Sequence, residues 1–245
     1  MQSFAYTSIL LVSIYCCLTE AATPSIRWKC DKADEKRMDE MVAKLMTFGR
    51  TDVRFPENTD ELKTFCKSTM ELVGKLEDYK DKCLKGQTKQ VVSVAIYSIK
   101  NLFNQYCKNR NAKRTKDLVA SAKCANAASQ GYLKCNNDYT ELLMAVTSSK
   151  DSKQKLAQLC CGYVEVFKCV SEKTRGVKHC NEEYVEIHKN FVRGIFENSV
   201  NVMCGDYNES SDKCDSFKLV RKPLKNSRSR PPSYFSVLIK LLMSL

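Results

Sequence analysis

The cysteines constrain this chain more strongly than any other feature of its sequence. Fourteen occur in 245 residues, and the twelve that follow residue 21 are an even number spread over the whole chain. Oxidising compartments pair such thiols into disulfides, whereas the cytosol keeps them reduced. The cysteines predicted to pair are Cys30, Cys66, Cys83, Cys107, Cys124, Cys135, Cys160, Cys161, Cys169, Cys180, Cys204 and Cys214. We therefore predict a secreted protein with disulfide bonds.

The first 21 residues have the pattern of a signal peptide. An apolar run over residues 9–18 precedes the small residues Thr19 and Ala21, a combination that suits signal peptidase. The run is too short to cross a membrane comfortably. Cleavage would remove Cys16 and Cys17 and keep the number of remaining cysteines even. We therefore expect residues 1–21 to be cleaved and the mature protein to be extracellular.

Apolar residues recur with a helical period along nearly every long segment, while the alternation typical of strands is almost absent. The pair Asn58 and Glu61 is typical of a capping box at the start of a helix. The predicted helices cover residues 34–48, 58–80, 88–107, 111–128, 138–146, 154–170 and 182–203. Residues 22–214 are therefore predicted to form an all-α domain, a disulfide-stapled bundle of about six to eight helices.

The spacing of the cysteines predicts a repeated unit and restricts their pairing. Three stretches, 66–107, 124–160 and 169–204, each begin with two cysteines and end with a long helix and a third cysteine, as tandem helical hairpins would. The long helix of the first stretch spans about 28 Å, whereas the Cα atoms of a disulfide lie about 4.4–6.8 Å apart. A straight helix therefore excludes a bond between Cys83 and Cys107.

Helical geometry gives two further restrictions on the pairing. Cys180 and Cys204 should not bond each other, because a long helix separates them. The neighbours Cys160 and Cys161 point about 100° apart on a helix, so they should have two different partners. The remaining connectivity stays open at the level of the sequence.

Basic residues exceed acidic ones, for a net charge of +12, and the excess is high after Cys214. Along the helices the two signs alternate, as on a solvated surface, and basic residues are not interleaved with exposed aromatic ones. No nucleic-acid partner is therefore predicted. Residues 215–233 are basic and contain proline, which predicts a flexible linker. Residues 234–245 form a hydrophobic or amphipathic segment.

Two interpretations of this C-terminal segment stay open. It fits a glycolipid-anchor signal, although Lys240 in its middle argues against that interpretation. It also fits an amphipathic helix that docks on the body of the protein, on a partner or on an anionic membrane surface.

The sequence contains no recognisable catalytic or metal-binding motif. Of the two histidines, His179 adjoins a cysteine predicted to form a disulfide, and His188 lies on the apolar face of its helix, as a core residue would. We therefore predict no catalytic residue, no metal and no cofactor, and a protein that is not an enzyme. Asn208 begins an Asn-Glu-Ser sequon in a polar loop, which predicts glycosylation there.

Short motifs around the cysteines follow one another in a characteristic order. They are Phe55-Pro56-x4-Glu61-Leu62-x3-Cys66, Tyr79-x3-Cys83-Leu84, Gln90-x6-Tyr97 leading to Cys107, Cys160-Cys161-x7-Cys169-Val170, Cys204-x2-Tyr207-x6-Cys214, and Lys225-Asn-Ser-x-Ser followed by Ser236-Val-Leu. This order resembles the secreted cysteine-rich family that includes the arthropod haemolymph glycoproteins. The resemblance implies a helical, disulfide-bonded haemolymph protein without catalytic residues. The strongly basic tail departs from the family pattern.

Two hypotheses of function follow from these features. The first is a non-enzymatic extracellular protein that binds an apolar small molecule or lipid between its helices. Its motivation is a set of aromatic residues on the helix faces: Phe65, Phe103, Tyr106, Phe167, Phe191 and Phe196. The simpler interpretation, which needs no ligand, is that these side chains only fill the hydrophobic core. The alternative hypothesis is a surface-attached or partner-binding protein that acts through its basic tail and its C-terminal segment.

Overall fold

The predicted all-α class is confirmed. A computed structural model describes residues 26–45, 52–205, 207, 211–215, 217–220 and 230–244. Within these residues the chain forms nine α-helices and no strand. The helices are α1 (Lys32–Leu45), α2 (Thr59–Cys83), α3 (Gly86–Cys107), α4 (Lys113–Ala120), α5 (Ala122–Ala127), α6 (Ser129–Thr147), α7 (Ser152–Thr174), α8 (Glu182–Cys204) and α9 (Phe235–Leu242). The predicted signal peptide and Asn208 lie outside the described residues.

The start of α2 follows the predicted capping pattern. The side chain of Asn58 accepts hydrogen bonds from the backbone N–H groups of Asp60, at 3.1 Å, and Glu61, at 2.9 Å. The carboxylate of Glu61 in turn accepts from the backbone N–H of Glu57, at 2.8 Å. The first two bonds use N–H groups of the first helical turn, which have no partner within the helix, and such a cap typically stabilises a protein by about 1 kcal/mol. The carboxylate of Glu61 differs from the usual capping box, because it accepts from the backbone N–H of the residue before the cap and not from that of Asn58 itself.

The helix predicted over residues 111–128 is wrong in one respect, because the chain forms two shorter helices, α4 and α5, with a turn at Ser121. The buried hydroxyl of Ser121 donates to the carbonyl oxygen of Leu118 at 2.8 Å. In a continuous helix that carbonyl would accept from the N–H of Ala122. Serine side chains compete with the backbone in this way, and the helical period of the apolar residues carries no sign of it.

Six disulfides staple the helices. The pairs are Cys30–Cys83, Cys66–Cys107, Cys124–Cys180, Cys135–Cys169, Cys160–Cys204 and Cys161–Cys214. The three restrictions from helical geometry are confirmed, because neither long helix is bridged end to end and the two adjacent cysteines have different partners. The pairing does not repeat with the predicted units. Only stretch 66–107 closes on itself, whereas the cysteines of 124–160 bond to those of 169–204.

The bridges divide the body into two covalently linked parts. Two bridges join residues 30–107, which we call the N-terminal half, and four join residues 124–214, which we call the C-terminal half. No bridge among these cysteines connects the halves. Their association depends on packing, above all of α3 against α8. At this contact a Cβ atom added to Gly194 would lie 2.6 Å from Cδ1 of Leu102, so glycine leaves room for the present conformation of that leucine side chain.

The C-terminal segment docks on the body, which was one of the alternatives that the sequence left open. The helix α9 packs against α1 of the N-terminal half and α6 of the C-terminal half. Its buried side chains are Phe235, Val237, Ile239 and Leu241, and Tyr234 directly before it is also buried. On the outer side, Nζ of Lys240 lies 3.1 Å from a carboxylate oxygen of Glu35. The amphipathic prediction for this segment therefore describes a helix folded onto the protein.

Polar contacts hold both described ends of the predicted linker. The buried side chain of Gln158 donates to the carbonyl oxygen of Lys218 at 3.1 Å and accepts from the N–H of Val220 at 2.9 Å. The buried carboxylate of Asp39 accepts from the Ser233 hydroxyl at 2.7 Å and from the N–H of Ser236 at 3.0 Å. Residues 217–220 and 230–233 are thus bound to the body, and residues 221–229 lie outside the described part of the chain.

Candidate functional site

A cavity of about 100 Å³ lies where the two halves meet. Helices α1, α2 and α3 of the N-terminal half and α6, α7 and α8 of the C-terminal half contribute side chains to it, and α9 forms a further wall. The lining side chains are almost all aliphatic or aromatic, and none of those described carries a charge. The arrangement therefore offers a partly open apolar space with no charged side chain among its described lining residues.

The helical period of the sequence places the lining residues. On α3, Val92, Ile96, Ile99 and Phe103 recur at steps of four and three residues, and all four line the cavity. Residues at these steps lie on one face of a helix. The stripes predicted from the sequence on α3 and α8 are therefore confirmed as inward-facing. The sequence does not show that they enclose a space instead of filling it.

A few hydroxyl groups are the polar exceptions in the wall. The Tyr139 hydroxyl donates to the carbonyl oxygen of Leu159 at 3.4 Å. Burial raises the pKa of Tyr139 and of Tyr234 well above the usual value near 10, so both phenols stay neutral. Ser199 of α8 is only 8% exposed, and its Oγ atom has no hydrogen-bond partner among the described residues. The wall therefore contains the hydroxyls of Tyr139, Tyr163 and Tyr234, and that of Ser199, which keeps unused hydrogen-bonding capacity.

The aromatic residues singled out in the sequence are divided between the cavity and the core. Phe103 and Phe196 line the cavity. Phe65, Tyr106 and Phe191 instead pack with Phe55 and Phe103 in one aromatic cluster, in which the ring centroids of neighbours lie 5.3–6.1 Å apart. Phe167 lies beside a second, smaller space of about 40 Å³, which Phe191 and Phe196 also line. Packing of the core alone therefore accounts for Phe65 and Tyr106.

Sequence reasoning missed Ser199, Tyr139 and Tyr234 as lining residues. Ser199 lies four residues after Ile195 and four before Met203, both of which also line the cavity. A polar residue at a stripe position was thus the available signal. Tyr234 could not be assigned, because its role depends on where α9 docks.

His188 is a core residue, as the apolar face predicts. It is 1% exposed, and its Nδ1 atom lies 2.7 Å from the hydroxyl of Tyr132 while Nε2 lies 3.2 Å from the carbonyl oxygen of Ser121. Burial lowers the pKa of His188 to about 4, so the ring is neutral at pH 7. Nε2–H then donates to the carbonyl, and Nδ1 accepts from the tyrosine. Both ring nitrogens are occupied in a structural role.

We expect this histidine to make the protein less stable in mild acid. The unfolded chain takes up the proton near pH 6.5, the ordinary pKa, whereas the folded chain takes it up only near pH 4. The contribution of His188 to the free energy of unfolding is therefore fully present above about pH 6.5. It declines by about 1.4 kcal/mol per pH unit as the pH falls from there to about pH 4. Urea unfolding of the wild type and of His188→Gln between pH 7.5 and 4.5 measures it, and the variant should show the shallower decline.

The other histidine supplies the control for this experiment. His179 is exposed and adopts a left-handed backbone conformation, with φ of 66°. Asparagine tolerates this conformation well, so His179→Asn removes the other histidine without backbone strain and is the control substitution. If the free energy of unfolding falls equally steeply with pH in His188→Gln and in the wild type, His188 is not the group that causes the decline.

The described residues include neither a cluster of metal-binding side chains nor a helix long and apolar enough to span a membrane. The six disulfides fit an extracellular protein. Comparison of the chain with protein-family models, curated proteins and solved structures finds no match. Membership of the haemolymph glycoprotein family therefore stays a prediction.

Proposed function

We propose that this protein is a secreted, non-enzymatic carrier that holds a small, neutral, apolar molecule between its helices. The observation that supports this function most directly is the apolar cavity between the two halves. Protein interiors are usually packed as densely as organic crystals. An apolar cavity of about 150 Å³ in another protein stays dry and binds benzene. The space of about 100 Å³ here suits a ligand of similar or smaller size.

The energetics of the cavity favour a ligand. Side chains that face an unfilled space lack contact partners on that side and lose the corresponding dispersion energy. A molecule that fills the space restores the missing contacts and binds the folded state alone, so it also stabilises the protein.

Secretion is the second part of the proposal. The apolar run over residues 9–18 and the disulfides both support it. Glycosylation at Asn208 and a role in a fluid such as haemolymph belong to the same proposal. The alternative function, in which the C-terminal segment engages an anionic membrane or a partner, has weaker support. The apolar side chains that such a contact would need are buried against α1 and α6.

The proposal is tested first on the natural protein. Native mass spectrometry of material purified from the fluid into which it is secreted, followed by organic extraction, should find a co-purifying apolar molecule. The recombinant protein should then show a rise in Tm on addition of benzene or hexane. At ten times Kd the expected stabilisation is about 1.4 kcal/mol, or about 4 °C for a protein of this size.

A variant that fills the cavity makes the test specific. Ala95 of α3 lines the space, and Ala95→Leu places three more carbon atoms in it. We expect this variant to be at least as stable as the wild type and to lose the response to benzene and hexane. Ala33→Leu adds the same atoms at an exposed position of α1 and should respond like the wild type. If the apolar probes shift the Tm of Ala95→Leu as much as that of the wild type, they bind elsewhere and the proposal fails.

A further inference from the structure

Ser199 differs from other serines in the helices of this protein. Ser93 and Ser98 of α3 donate to the carbonyl oxygens of Lys89 and Val94, four residues earlier, at 2.7 Å and 3.0 Å. Ser199 makes no such bond, although it is buried within a long helix, five residues before its end, and lines the cavity. A buried hydroxyl without a partner destabilises a protein, because it has lost its water and gained nothing in return.

We infer that the cavity selects a molecule with a hydrocarbon body and one neutral oxygen, such as an alcohol or a ketone, which hydrogen-bonds to Oγ of Ser199. The inference rests on the proposed carrier function and specifies its ligand class. A serine hydroxyl both donates and accepts, so it can pair with either kind of oxygen. The ligand then supplies the bond that the helix does not.

The rest of the wall explains why the oxygen should be neutral. No Lys, Arg or His side chain lines the described cavity, and a carboxylate or phosphate buried without a partner is strongly disfavoured. Two of the phenols in the wall, Tyr139 and Tyr234, are neutral as well, and the Tyr139 hydroxyl already donates to Leu159. Tyr163 adds a third phenol to the wall. Polar groups are therefore few and uncharged among the hydrocarbon side chains, which suits a neutral molecule with little polar surface.

The decisive experiment compares 1-pentanol with hexane, which have the same number of heavy atoms, as ligands of the wild type and of Ser199→Ala. The quantity measured by calorimetric titration is the ratio of the Kd for hexane to the Kd for 1-pentanol. A substitution in the wall can weaken the binding of both molecules to the same extent, and the ratio of the two Kd values cancels this common effect. Removing the hydroxyl should lower this ratio about fivefold, the usual effect of one hydrogen bond. Alanine is the best helix former, so the variant should fold and be more stable than the wild type without ligand.

Ser93→Ala is the matched control, because it removes a serine hydroxyl from a helix at a residue that does not line the cavity. Its ratio should equal that of the wild type. An unchanged ratio in Ser199→Ala, with both probes bound, would overturn the inference about the ligand's oxygen and leave the carrier function standing. If neither probe binds the wild type, the carrier function itself fails.

Discussion

Replacing Leu241 by alanine should lower the free energy of unfolding by about 3 kcal/mol, because large-to-small changes of fully buried leucine cost about 2–5 kcal/mol. Leu241 of α9 has no exposed surface and belongs to a cluster with Tyr139, Leu142 and Leu143 of α6. The same helix supplies a wall of the cavity through other side chains. The variant should therefore also bind hexane more weakly. Urea unfolding and calorimetric titration measure the two effects.

Met243 offers a control at almost the same place in the chain. It follows the last residue of α9 and is 72% exposed. Met243→Ala should change the free energy of unfolding by less than about 0.5 kcal/mol, as is usual for surface substitutions, and should leave hexane binding unchanged. Identical urea midpoints for the two variants would show that α9 does not pack on the body in solution.

Removing the disulfide between Cys160 and Cys204 should strongly lower both stability and ligand binding. The bridge joins residues 44 positions apart, and constraint of the unfolded chain by a loop of that length is worth about 4 kcal/mol. Both cysteines are buried, and Cys204 lines the cavity. The double variant Cys160→Ala, Cys204→Ala should therefore lose stability and ligand binding together, as thermal unfolding with and without hexane would reveal.

The neighbouring bridge separates these two effects. Cys161 pairs with Cys214 across 53 positions, so its removal should cost about as much through chain entropy. Neither of these two cysteines lines the cavity. The double variant Cys161→Ala, Cys214→Ala should therefore lose comparable stability and retain hexane binding at a temperature where it is folded. Equal loss of binding in both double variants would mean that general loosening, and not the cavity wall, controls the affinity.

Much of the fold was predictable because it is local. The helix predicted over 58–80 corresponds to α2 at Thr59–Cys83, and the cap at Asn58 follows from residue type and spacing. The separate partners of Cys160 and Cys161 follow from the angle between successive residues of a helix. Each of these inferences needs only neighbours in the sequence.

The features that were not predictable from the sequence depend on which helices pack against each other. The pairing of Cys124 with Cys180 requires α5 and the start of α8 to be adjacent, and the period of either segment alone contains no such information. The position of α9 likewise depends on a distant partner, the carboxylate of Asp39. The cavity was not predictable for a further reason. A space is a property of several helices packed together, and apolar stripes that enclose one have the same sequence pattern as stripes that fill it.

No disulfide among the described cysteines links the N-terminal half to the C-terminal half, and this matters when the polypeptide is cleaved between them. Residues 108–123 are the direct covalent connection between the two halves. A break there would leave two polypeptides without an interchain disulfide, held by α3 against α8 and by α9 against α1. Their association would obey mass action, with a dissociation constant of its own. Because the cavity lies at their interface, a molecule bound in it would lower that dissociation constant. The ligand would therefore strengthen the association of the two fragments.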